Sequence, residues 1–113
     1  MIDFACKKIE LEEVIKCSLD LAKSDLKILF YLFGKGRFTS SKLASNLDLD
    51  LSTIQRSVKK LYEKDILTRS QKNLENGGYI YEYKIKDKQE LKERIINIIE
   101  EWKKDVQKEL QKL

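Results

Sequence analysis

From Asp87 to Leu113 the sequence DKQELKERIINIIEEWKKDVQKELQKL places Leu91, Ile95, Ile99, Trp102, Val106, Leu110 and Leu113 at successive spacings of 4, 4, 3, 4, 4 and 3. At ~100° per residue these side chains and Ile98 fall within ~60° of Ile95 on a helix, and only Ile96 strays. Asp87 and Glu90 supply a capping-box pattern for its start. Such a helix would reach ~40 Å, more than a small domain can cover with its own core. Part of the stripe therefore needs a second chain, and Leu91, Ile95, Ile98, Ile99, Trp102, Val106 and Leu110 are predicted to hold a homodimer. The eleven-residue repeat follows a straight or slightly right-handed helix, which favours an antiparallel or crossed pair over a leucine zipper. A helix folded back over its own domain is the alternative.

The whole chain has 113 residues, 42% of them hydrophobic. That suffices for one compact core, predicted to lie in residues 1–86, with 87–113 as the dimerisation helix. No apolar run approaches the ~18 residues of a membrane span. MIDFACKKIELEEV lacks the basic start, apolar centre and cleavage site of a secretory signal, so the protein is expected in the cytoplasm. Cys6 and Cys17 read as small core hydrophobes, with a Cys6–Cys17 link or an intersubunit disulfide as alternatives.

Histidine is absent. This removes the commonest general base and every Ser-His or Cys-His nucleophile. No Walker loop or Gly-x-Gly-x-x-Gly occurs, and no Cys-x-x-Cys offers a metal site. The chain is not expected to be an enzyme, nor to need a metal or cofactor.

Positive charge is concentrated in the middle. Residues 1–34 carry 5 basic and 6 acidic side chains, 87–113 carry 7 of each, and 35–86 carry 11 basic and 6 acidic, a local charge of +5. A basic surface attracts polyanions through Coulomb steering and counterion release.

The order of elements locates that surface. IELEEVIKCSL spaces Ile9 or Leu11 with Val14, Ile15 and Ser18 as a short amphipathic helix. Ser24 is the expected N-cap for DLKILFYLF, a helix apolar on nearly every side and so predicted at the centre of the core, ending at the glycines of residues 34–36. Arg37 and Phe38 suggest a short extended piece, and RFTSSKLASNL a helix with Leu43, Ala44 and Leu47 inward. Another helix, about 51–64, starts near Asp50 to Ser52 with Ser52 and Gln55 as a capping box. ILTRSQK then begins a strand. NLENGG is a tight turn with Asn76-Gly77 expected at its centre, where both residues need positive φ. In the returning strand Tyr79, Tyr81, Tyr83 and Ile85 share a face expected to pack on the core.

Helix, short strand, helix, helix, strand, turn, strand is the winged helix-turn-helix order, mainly α with a small β-hairpin wing. On the 51–64 helix, with Ile54 at 0°, Val58 and Leu61 lie at ~40° and ~340°, whereas Ser52, Thr53, Gln55, Arg56, Lys59 and Lys60 occupy ~100° to ~260°. Arg56 can fork to guanine O6 and N7, Gln55 can pair with the adenine edge, and Ser52 or Thr53 can meet a phosphate. Lys59, Lys60, Lys42, Arg69 and Lys72 are read as phosphate contacts. The expected partner is double-stranded DNA.

FTSSKLASNLDLDLSTIQRSVKKLYEKDILTRS resembles the winged-helix core of archaeal and bacterial regulators of the MarR and TrmB types, over about residues 24–86. The resemblance implies that Ser52, Thr53, Gln55 and Arg56 read the major groove. It implies a wing at about 69–80, with Asn76 among its DNA-facing residues, and terminal helices that hold a dimer. Many such motifs have glycine four residues after the alanine, here Ala44; this chain has Asp48, which must accept the left-handed conformation. No counterpart of the sugar-sensing C-terminal domain of TrmB proteins is expected among these residues, and no effector is assigned. The expected function is sequence-specific transcriptional regulation, the alternatives being a winged-helix protein-interaction module or a non-specific chromatin-type protein.

Overall fold

The computed structural model describes all residues, Met1–Leu113. The elements are β1 (Ile2–Asp3), β2 (Lys8–Ile9), α1 (Leu11–Leu19), α2 (Lys23–Lys35), β3 (Phe38–Thr39), α3 (Ser40–Leu47), α4 (Leu51–Glu63), β4 (Leu67–Asn73), β5 (Tyr79–Ile85) and α5 (Lys88–Gln111). Contacts group them into two compact units, one of residues 22–88 and one of residues 1–21 with 89–113. The first 21 residues, expected with the central domain, thus group with α5.

Within residues 22–88, α4 packs against both α2 and α3. Ile28, Leu29 and Leu32 of α2, Leu43 of α3, and Ile54, Val58 and Leu61 of α4 are buried together with Ile66, Leu67, Tyr83 and Ile85. Each such side chain contributes ~1.5–3 kcal/mol by leaving water. The antiparallel sheet has the order β3-β5-β4, pairing Phe38 with Tyr83 and running from Leu67↔Ile85 to Asn73↔Tyr79. This is a winged helix whose wing is the β4–β5 hairpin. Contrary to the sequence reading, α2 buries only one side, and Phe30 is exposed.

Helix ends explain how the chain turns without proline. Asp20, Asp48 and Asp65, which follow α1, α3 and α4, adopt φ of 54°, 53° and 62°. Aspartate tolerates this left-handed region better than most residues. At the end of α3 the Asp48 and Leu49 N–H groups both donate to Ala44 O, so the position where related motifs use glycine is closed in the same sense. Asp65 is further held by Lys86 Nζ, 2.9 Å from each carboxylate oxygen. Lys86 N–H donates to Ile66 O at 3.0 Å, and together these bonds fasten the base of the wing to the end of α4.

Several local expectations are corrected. Ala22, not Ser24, is the N-cap of α2; its N–H donates to Asp25 Oδ2 at 2.8 Å. Asp50 is the N-cap of α4 and makes no side-chain cap bond, so Ser52 and Gln55 form no capping box. In the wing turn Gly77 N–H donates to Leu74 O, which makes Glu75 and Asn76 the central pair. Positive φ falls instead on Gly77 (87°) and Gly78 (78°), because a five-residue connection places two glycines where the chain turns back and spares Asn76 the strain.

In the other unit, β1 and β2 form a short antiparallel hairpin that the sequence reading missed, two residues per strand being too few for alternation to register. Cys6 and Cys17 are free and exposed, not core residues: Cys6 lies in the turn between β1 and β2, and Cys17 on the exposed side of α1. Leu19, Leu21 and Leu91 are buried. No helix is long and apolar enough to cross a membrane.

Candidate nucleic-acid interface

Helix α4 divides as its sequence period dictates. Ile54, Ser57, Val58 and Leu61 face inward, while Ser52, Gln55, Arg56 and Lys59 are exposed and Thr53 is half-buried. Arg56 Nη2 donates to Thr53 Oγ1 at 3.5 Å, a long contact one turn back that steers the guanidinium along the open face. Lys59 Nζ lies 4.0 Å from Glu63 Oε1 with both groups exposed. Pairs of this kind contribute ~0–1 kcal/mol, so Lys59 is free to trade Glu63 for a stronger anion.

Lys60 is different. Its Nζ lies 2.8 Å from Oδ2 of Asp25, whose side chain is 3% exposed. Burial alone would raise the Asp25 pKa; hydrogen bonds from Lys60, Ser57 and the Ala22 N–H, with the Lys60 charge, outweigh it and hold the carboxyl below its ordinary value. Ser57 Oγ is 3.2 Å from Ser24 Oγ, so α2 meets α4 through a small polar cluster beside the apolar core. The helical wheel put Lys60 at the edge of the polar arc, and its stem bends from that edge toward α2. Lys60, expected as a phosphate contact, thus has its charge matched by a buried carboxylate while its own side chain stays 39% exposed.

On α3, Lys42 is exposed in the first turn, where its backbone N–H donates to Thr39 Oγ1 at 3.2 Å. That bond is the cap which starts the helix.

The wing presents two unlike faces. Leu67, Arg69, Tyr81, Tyr83 and Ile85 share one, by the register Leu67↔Ile85 and Arg69↔Tyr83, and Thr68, Ser70 and Lys72 stand on the other. Toward the core the first face is buried at Tyr83 and Ile85; outward it emerges, and Tyr79 is 54% exposed. The expectation that all three tyrosines pack on the core holds for Tyr83 alone, because the hairpin outruns the helices beneath it. Arg69 lies over Tyr62 and over Tyr81, 4.2 Å from each ring centroid. Lys72 and Asn76 are exposed. The sequence reading missed Arg37, whose Nη1 reaches Ser70 Oγ at 3.5 Å and adds an exposed cation beside the wing; its position directly before β3 was the available signal.

Along α5, Leu91 is buried within the protomer and so is unavailable to a partner, correcting its place among the pairing residues. Ile95, Ile98 and Ile99 are half-buried. Trp102, Val106 and Leu110 are 59%, 37% and 60% exposed, which leaves the distal half of the stripe uncovered.

The profile of the DnaD N-terminal domain matches residues 9–106 of this architecture. The chain belongs to the DnaD N-terminal domain family. This member is similar throughout its length to a possible transcriptional regulator from Methanosarcina mazei: 46% identity, 99% of this chain and 95% of that one covered, TM-score 0.90. It is 29% identical over 108 residues to the uncharacterised protein MJ1503 of Methanocaldococcus jannaschii, covering 96% of this chain and 82% of that one. The transcriptional regulator Tm0710 from Thermotoga maritima, at 21% identity and TM-score 0.59 over 88% of this chain and 69% of its own, shares the fold. The winged helix is thus the level at which the MarR and TrmB resemblance holds.

Proposed function

We propose that the protein is a sequence-specific, double-stranded DNA-binding transcriptional regulator acting as a homodimer in the cytoplasm. The observation that carries this reading is the open face of α4, where Ser52, Gln55, Arg56 and Lys59 stand clear of the core on a helix otherwise anchored by Ile54, Val58 and Leu61. Docking follows the MarR and TrmB pattern, with α4 in the major groove and the wing on the backbone or minor groove. Arg56 and Gln55 take the base edges, since both are long, exposed and lie toward the start of the helix. Ser52, Thr53, Lys42, Lys59, Lys72 and Asn76 take the backbone. Full-length similarity to the possible transcriptional regulator from Methanosarcina mazei supports the reading as a regulator.

Pairing uses α5. Trp102, Val106 and Leu110 are large, exposed and on one stripe, and residues 87–113 have no net charge, with 7 basic and 7 acidic side chains. An apolar stripe flanked by balanced charges suits a second copy of itself better than a strongly acidic or basic partner. Two α4 helices in such a dimer would meet half-sites ~34 Å apart.

Selection of bound fragments from a random duplex pool, followed by titration at two salt concentrations, tests the reading. The expected outcome is a pseudo-palindromic sequence bound at least ~10³-fold more tightly than random duplex. Equal binding to all duplexes would favour a chromatin-type protein, and weak binding only at low salt a protein-interaction module.

A further inference from the structure

We propose that Arg69 is a positioning residue, its guanidinium clamped between Tyr62 of α4 and Tyr81 of β5 so that it sets the angle of the wing against the recognition helix. The inference rests on the DNA-binding reading above and adds a division of labour within it. Both ring centroids lie 4.2 Å from Arg69 Cζ, so one guanidinium lies over two aromatic rings at once. Tyr62 is the penultimate residue of α4, whereas Arg69 and Tyr81 belong to the two strands of the hairpin. The stack therefore joins the helix to both strands. Arg69 stands opposite the buried Tyr83 in the ladder, where that face of the sheet begins to emerge from the core, and Tyr81 is itself braced edge-on by Tyr79 at 5.4 Å. Below it, the Asp65–Lys86 pair fixes only the base of the hairpin.

Two features separate this role from that of a phosphate cation. Lys72, the neighbouring basic residue of β4, stands on the opposite face of the sheet, so the two are not one basic patch. A planar, delocalised guanidinium stacks on two rings at once, which the tetrahedral ammonium of lysine cannot imitate. Charge at position 69 is then not enough; its shape is required.

The experiment compares wild type with Arg69→Lys and with Tyr62→Leu, which keeps the arginine and removes one platform. Thermal melting establishes that each variant folds. The Arg69 Nε–H proton is observed by NMR in the free protein, and hydroxyl-radical footprints are recorded on the selected duplex. In wild type the ring currents of Tyr62 and Tyr81 shift that proton upfield, and Tyr62→Leu moves it back. Both variants should lose protection at the wing-side phosphates, retain it at the α4 base pairs, and bind about tenfold more weakly, the cost of ordering a wing that is no longer held in place before binding. If Arg69→Lys and Tyr62→Leu both keep the wing footprint, the positioning role is overturned while the DNA reading stands. If wild type binds no duplex, the functional reading falls and the proposal with it, even where the NMR shift shows the stack intact.

Discussion

Lys60 Nζ and Asp25 Oδ2 are 2.8 Å apart, and this contact turns one cation of the α4 row into a fastener between α4 and α2. The carboxylate is almost fully buried, and Oδ2 also accepts the Ala22 N–H that opens α2. One side chain thus starts a helix and seats the helix packed against it. Lys60→Met should lower unfolding stability by ~1–3 kcal/mol, since it leaves the buried carboxylate without its charged donor. Urea denaturation checks this, and duplex affinity of the folded fraction should change little.

The same pair makes stability depend on acid. The Asp25 pKa in the folded protein lies below its ordinary value, and that of the unfolded chain is ~3.9. Its contribution is therefore complete above the unfolded pKa and disappears as pH falls through the folded one. Asp25→Asn should be less stable than wild type at neutral pH, and the gap should shrink as pH drops below ~4. Melting curves of the two proteins from neutral to acid pH give the gap directly; a constant gap would mean that the charge of Asp25 does not matter.

Asp48 occupies a left-handed position at φ 53° between α3 and α4. Glycine has no Cβ to strain there. Asp48→Gly should raise stability by ~0.5–1 kcal/mol, the relief of the left-handed conformation exceeding the added entropy of the unfolded chain. Chemical denaturation of both proteins decides the sign.

Arg56 and Lys72 should fail differently when truncated. Arg56→Ala should cost ~1–3 kcal/mol of binding to the selected site and relax base preference. Lys72→Ala should weaken every duplex alike and reduce the slope of log affinity against log salt by ~1. Wild-type discrimination in Arg56→Ala would remove that residue from the reading face.

Trp102 is the largest exposed side chain of the α5 stripe. Trp102→Glu should shift a dimer toward monomer by at least ~10-fold in dissociation constant, because a charge on the apolar seam opposes its burial. Analytical ultracentrifugation reads this, and a wild-type protein that sediments as a monomer would rule out the pairing.

The sequence by itself determined the elements from α1 onward and the two faces of α4. Ile54, Val58 and Leu61 recur at helical spacing, and burial of that stripe leaves Gln55 and Arg56 no place but the surface. The same reasoning made the long stripe of α5 legible, because period depends only on residues near in sequence. Tertiary structure decided which cations remain free. Lys60 is claimed by Asp25, 35 positions away, and Arg69 by Tyr62 and Tyr81 on two other elements. It also decided that Leu91 is covered while Trp102 and Leu110 are not. Helical period sets the direction in which a side chain leaves its own backbone; what it meets there depends on where the rest of the chain has packed.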